Sequence, residues 1–117
     1  MEIKFEVIFC VINAGFSDTV MFAARKAGAS GGTIFKGRGI AGRDAQERYK
    51  ILIQPEKEIV MILVPREIKD DVLRAIYDHA GLNTESQGIA FSMPVERAVG
   101  LKDFAQSSAA EEENAGN

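Results

Sequence analysis

The sequence predicts an α+β domain of ferredoxin-like type, a βαββαβ sandwich with two helices on one face of a four-stranded sheet. Three observations carry this. Phe5 to Ile12 and Ile59 to Val64 are near-continuous apolar runs, the pattern of strands lying in the middle of a sheet. Each run is followed by a stripe of helical period. Each stripe ends in a glycine-punctuated loop, Ala27-Gly28-Ala29-Ser30-Gly31-Gly32-Thr33 in the first half and Ala80-Gly81-Leu82-Asn83-Thr84, closing at Gly88, in the second. One β-α-β unit is used twice.

The elements follow in order. After the first strand, Ser17 is placed as an N-cap with Asp18 in the first turn. Val20, Ala23, Ala24 and Ala27 then recur at helical spacing until Gly28 ends the helix. Gly31 to Lys36 is the second strand. Arg38 to Glu47 is charged, contains glycine and lacks periodicity, so it reads as a mobile functional loop, with Tyr49 to Gln54 as its strand stem. Pro55-Glu56-Lys57 is read as a turn into the strand Ile59 to Val64. Ile68, Val72, Leu73, Ile76 and Tyr77 form the second helical stripe, with Glu67 and Asp70 early and His79 late, as the helix dipole prefers. His79 is therefore expected to be a surface cap. Gly88 to Met93 is the last strand. Right-handed crossovers set the first and third strands side by side in the centre. With both helices on one face, the other face is apolar and uncovered, which implies self-association. The stretch from residue 106 to 117 is Ser, Ala, Glu, Gly and Asn and reads as a disordered tail outside a domain spanning 1–105.

Composition narrows the function. A chain of 117 residues holds one core. No apolar run approaches a membrane span, and Met1-Glu2-Ile3-Lys4 leads straight into a strand instead of a signal peptide. The single cysteine, Cys10, excludes an intramolecular disulfide and lies in an apolar run, so it reads as a core residue of a cytoplasmic protein. The net charge of −3 matches the triplet Glu111, Glu112 and Glu113, leaving no basic footprint for nucleic acid. One histidine and one cysteine supply no catalytic triad and no zinc site, so neither catalytic residues nor a metal are expected. Gly37-Arg38-Gly39-Ile40-Ala41-Gly42 matches G-x-G-x-x-G, but no crossover helix follows. Val64-Pro65 stands where the next strand should end in an acid, which rules out the dinucleotide fingerprint.

Over Lys4 to Lys102 the chain resembles the PII signal-transduction (nitrogen regulatory) family. The resemblance rests on the split β-α-β plan, the loop entry Lys36-Gly37-Arg38-Gly39, and the strand Glu58 to Val64. It also rests on Gly88-Ile89-Ala90-Phe91 followed by Val95-Glu96-Arg97-Ala98-Val99. It implies a homotrimer, without membrane insertion, that binds an adenine nucleotide, ATP or ADP, in clefts between subunits. Mobile loops would control a partner enzyme or membrane transporter in nitrogen utilization. On this resemblance Gly37, Gly39 and Gly88 face the phosphates, and Gly31, Gly32 and Thr33 contact the base. Lys36, Arg38 and Lys102 are the cations that compensate for two the family usually has. Arg43, Asp44, Glu47 and Arg48 lie on the partner loop, 38–48. Ser86-Gln87-Gly88-Ile89 stands where the family has Gly-Asp-Gly-Lys, Gly100-Leu101-Lys102 replaces an Arg-x-Arg, and Ala41 replaces a magnesium-linked glutamine. Tyr49 aligns near the tyrosine that some members modify, but its β-type neighbours Ile51 and Ile53 favour an unmodified structural role. Two other readings stay open: a ligand-free adaptor trimer and a small phosphatase-type enzyme.

Overall fold

Alternate residues of the first apolar run point to opposite sides of the sheet, and the two sides meet different fates. Ile8, Cys10 and Ile12 have no exposed surface, while the intervening Val7, Phe9 and Val11 are only half-buried. The computed structural model describes residues 4–40 and 55–100. Along them run β1 (Phe5–Asn13), α1 (Ser17–Lys26), β2 (Thr33–Arg38), β3 (Glu56–Pro65), a 3₁₀ turn (Arg66–Ile68), α2 (Lys69–Ala80) and β4 (Ile89–Val95). The sheet order is β2-β3-β1-β4 and every pairing is antiparallel. The two most apolar strands are thus central, as expected.

The core lies between the sheet and the helices. Ile8, Cys10 and Ile12 of β1 meet Val60, Ile62 and Val64 of β3, and over them pack Val20, Met21 and Ala24 of α1 with Val72, Ile76 and Ala80 of α2. Burial pushes the Cys10 thiol up to about 12, so it stays protonated and inert as a small hydrophobe. Glu6 is the acid on this side of β1; it is buried and paired through its Oε2 with Arg66 Nε at 3.2 Å, where the chain leaves β3.

Several local expectations need correction. Helix α1 has Phe16, not Ser17, at its cap, with no side-chain hydrogen bond; Phe16 instead packs on the core. Apolar anchoring replaces polar capping there. At its other end Gly28 adopts φ +113, with Ala29 N–H bonding Ala24 O at 3.0 Å and Gly28 N–H bonding Arg25 O at 3.0 Å, a Schellman closure. Gly81 ends α2 differently, in an extended conformation. The two glycine loops are therefore not equivalent in backbone. Glu56 and Lys57 are strand residues and not a turn, because the β2–β3 ladder continues to Gly37↔Lys57 and Arg38↔Glu56. Correspondingly β2 starts two residues later than read. His79 is exposed and bonds Ala75 O at 2.9 Å, one turn back in its own helix, so it does not serve the terminal carbonyls of the helix.

The side of the sheet away from the helices carries row after row of apolar residues. Phe35, Ile59, Val11 and Ile89 form one row, and Thr33, Met61, Phe9 and Phe91 the next. Leu63, Val7 and Met93 follow. Phe35, Ile89, Phe91 and Met93 each keep 45% or more of their surface exposed. Among the described residues nothing covers this face. A patch of this extent on a lone subunit marks an interaction surface.

Candidate functional site

The rows end in polar residues. Register places Gly37 of β2 beside Lys57 of β3 and Lys57 beside Asn13 of β1. The β1–β4 pairing runs to Val11↔Ile89, so Gln87 stands in line with Asn13 one step beyond the ladder. Gly37, Lys57, Asn13 and Gln87 thus form one polar row across the end of an otherwise largely apolar face. Strand alternation makes this arrangement unavoidable once the register is set.

Lys57 Nζ donates to Asn13 Oδ1 at 2.7 Å, and Asn13 Nδ2 donates to Glu85 O at 3.0 Å and to Gln87 Oε1 at 3.4 Å. The Asn13 backbone N–H reaches Ser86 O at 2.9 Å. Asn13 and Ser86 are both buried. Among the described residues no carboxylate lies within ion-pair distance of Lys57. Its partial desolvation lowers the pKa of the ammonium from the usual lysine value. The Lys57 stem passes under Gly39, where an added Cβ would stand 2.9 Å from Cε. Gly39 N–H in turn donates to Pro55 O at 2.7 Å, closing the base of the long connection.

Gly88, at the same end of the sheet, is fixed by packing on the helix side. A Cβ on it would lie 2.3 Å from Ala80 O and 2.9 Å from an Ile12 methyl group. Its own N–H bonds that same Ala80 carbonyl. Gly88→Ala should destabilise the domain by about 1–3 kcal/mol, since neither the backbone oxygen nor the core side chain can yield. Urea titration followed by circular dichroism checks this; a midpoint equal to that of the unsubstituted chain would refute it.

Of the residues singled out from the sequence, Gly37 and Gly39 come together beside Lys57; Gly88 lies at the same end of the sheet but next to β4, on the opposite edge, and faces Ile12 and Ala80 on the helix side. Lys36 and Arg38 belong to the same stretch, but alternation sets them on the helix side, opposite Glu58 and Glu56. Thr33 opens β2 at its far end, four residues or about 13 Å along the strand from Gly37, and Gly31 and Gly32 precede it. Gly32 has a packing reason of its own, because a Cβ there would meet Met21 Sδ and Met61 O at 3.0 Å. Lys102, Arg43, Asp44, Glu47, Arg48, Tyr49 and the strand stem Tyr49 to Gln54 fall outside the described residues. Asn13, Lys57 and Gln87 were missed by sequence reading. Lys57 was hidden by its assignment to a turn, and Asn13 by its place at the end of an apolar run.

A groove of about 570 Å³ lies elsewhere, between α1 and the edge strand β2, with Met21, Phe22, Arg25, Lys26 and Ile34 among its lining. It sits on the helix side, away from the polar row. Among the described residues no group of His, Cys, Asp or Glu is clustered to hold a metal, and no helix is long and apolar enough to cross a membrane.

The model of the family described as nitrogen regulatory protein P-II matches residues 5–103. The chain belongs to that family. Its members are signalling proteins, and this PII chain shares their fold. A PII-like signalling protein from Thermus thermophilus superposes with a TM-score of 0.60 at 16% identity, over 81% of this chain and 90% of that one. Arabidopsis thaliana PII, in a structure bound to citrate, gives a TM-score of 0.64 at 20% identity, over 86% of this chain and 83% of that one. A Bacillus cereus protein related to NIF3 gives 0.64 at 13% identity, and this chain spans only 26% of its length. The same fold therefore also occurs inside larger proteins. No curated protein sequence matches.

Proposed function

We propose that this PII-family protein is a non-enzymatic cytoplasmic regulator. It binds a phosphorylated effector, an adenine nucleotide such as ATP or ADP, at the polar row. Through the 38–48 loop it then controls a partner enzyme or transporter in nitrogen utilization. One observation carries the reading: the Lys57 ammonium, held by a neutral amide, beside Gly37 and Gly39 at the root of that loop. A charged donor next to close-approach glycines is the chemistry of an anion cradle.

The apolar face and the row at its end support a homotrimer with the effector between subunits. One chain holds Gly37, Gly39 and Lys57 at one end of the β2–β3 ladder and Gly31 to Thr33 at the other, so a neighbour's copy is the economical source of the second half. Lys36 and Arg38 stand opposite Glu58 and Glu56 on the helix side, so among the described residues Lys57 is the cation of the polar row. The Arabidopsis relative holds citrate, itself a polyanion. His79 on a helix surface and the buried Cys10 offer no nucleophile–base pair, in keeping with a binding role.

Calorimetry with ATP, ADP and AMP tests the reading; no heat from any of them at millimolar ligand would remove it. The pH dependence has a definite sign. A bound anion favours charged Lys57, whose ligand-free pKa lies below 10.5. Affinity should therefore be steady near neutrality and fall as pH rises through that lowered pKa, before 10.5 is reached. The phosphate groups are already ionised there, so a flat profile across the alkaline range would exclude Lys57 as the phosphate partner. A ligand-free adaptor is the second reading. It is favoured by the contact that already satisfies Lys57 through Asn13, and it predicts no binding heat.

A further inference from the structure

Asn13 is bound on both sides. Its carbonyl oxygen takes the Lys57 ammonium at 2.7 Å, and its amide nitrogen donates to Glu85 O at 3.0 Å and Gln87 Oε1 at 3.4 Å. Its backbone N–H holds Ser86 O at 2.9 Å. One buried side chain therefore ties the ammonium to the 85–87 segment. That segment holds a backbone conformation unusual for its residue: Gln87 sits at φ +48, in the left-handed region that glycine favours. Such a conformation persists where surrounding contacts over-determine it, and Asn13 supplies one of them directly.

The chemistry of the amide matters. Its oxygen is neutral, so the bond to Lys57 is charge-assisted on one side only and an incoming anion makes the stronger partner. Donating to Glu85 and Gln87 while accepting from Lys57 polarises the amide, so the two bonds strengthen one another. When the acceptor side is released, the donor side weakens. Resting on the anion site proposed above, we propose that Asn13 is the specificity-determining partner of Lys57. It is a neutral amide that positions the ammonium, yields it to an anionic ligand, and passes the exchange to the 85–87 segment. An Asp at this place would hold Lys57 as an ion pair and compete with the ligand. An Ala would leave Lys57 free and the segment untied.

The full chain with ADP as probe tests this in three variants. Asn13→Asp should lower ADP affinity about tenfold or more, because the new carboxylate pairs with Lys57. Asn13→Ala removes the positioning bond without adding a charge, so it should weaken ADP binding several-fold less than Asn13→Asp does. Equal losses in the two variants would mark Asn13 as merely structural, and that outcome overturns the proposal. Amide NMR reads the relay. ADP should shift the Asn13 carboxamide resonances, and Lys57→Met should shift them the same way without ADP, together with the Gln87 backbone amide. Lys57 is partly exposed, so this variant folds where a core change would not. If the original chain takes up no ADP, the function proposed above fails, while the Lys57→Met spectra still decide the relay. Unmoved carboxamide and Gln87 signals in that variant end it. If ADP binds and Asn13→Asp binds it equally well, the site stands and the role of Asn13 falls.

Discussion

Phe91→Asp is expected to turn the homotrimer proposed above into single chains, each of 12.7 kDa. Phe91 lies in the middle of the uncovered apolar face, stacked on Phe9 with ring centroids 5.6 Å apart. In a single subunit it is 47% exposed, so an aspartate there reaches water, and the fold loses the ring contact, about 0.5–1.5 kcal/mol, together with the half of its apolar surface that Phe91 buries. In a trimer built on that face the carboxylate is buried without a partner, at several kcal/mol per ion. Symmetry repeats this cost in every subunit. Light scattering coupled to gel filtration should show the monomer mass, while far-ultraviolet circular dichroism stays unchanged. Phe22→Asp is the control: Phe22 is 57% exposed on α1, on the other side of the sheet, and the mass should not change. An intact oligomer carrying Phe91→Asp would place the subunit contact elsewhere and remove the intersubunit cleft with it.

Lys57→Met should lower nucleotide affinity about ten- to hundredfold, the range expected when a charge-assisted hydrogen bond contributing roughly 1.5–3 kcal/mol is deleted. Methionine keeps most of the apolar stem that lies under Gly39, so the local packing survives and the charge is what changes. The alkaline fall in affinity should disappear in the same variant, because its cause has been removed. Lys36→Met is the comparison. Lys36 stands across the ladder from Glu58 on the helix side, and its loss should change affinity far less. Equal losses from the two substitutions would mean that the phosphate is met from the edge of β2 and not from the polar row.

Much of this was written in the order of residues. The apolar runs at Phe5 to Ile12 and Ile59 to Val64 announced central strands, since a strand covered on one face by helices and apolar on the other has no polar alternation to show. Helical spacing and Gly28 placed α1 because both are local properties of a few consecutive residues. The glycines at Gly37, Gly39 and Gly88 were visible for the same reason. Register was not visible. Whether Lys57 belongs to a turn or to β3 depends on how far β2 pairs along it, and that is settled by contacts between residues distant in the chain. Only the pairing of β2, β3 and β1 brings Gly37, Lys57 and Asn13 into one row, with Gln87 in line. Only alternation across that ladder turns Lys36 and Arg38 to the other side. The sequence by itself determined which segments become strands and helices, through periods of two and 3.6 that any window of the chain displays. Tertiary structure alone decided which polar side chains meet, because a shift of one residue in any strand sends its whole set of side chains to the opposite face.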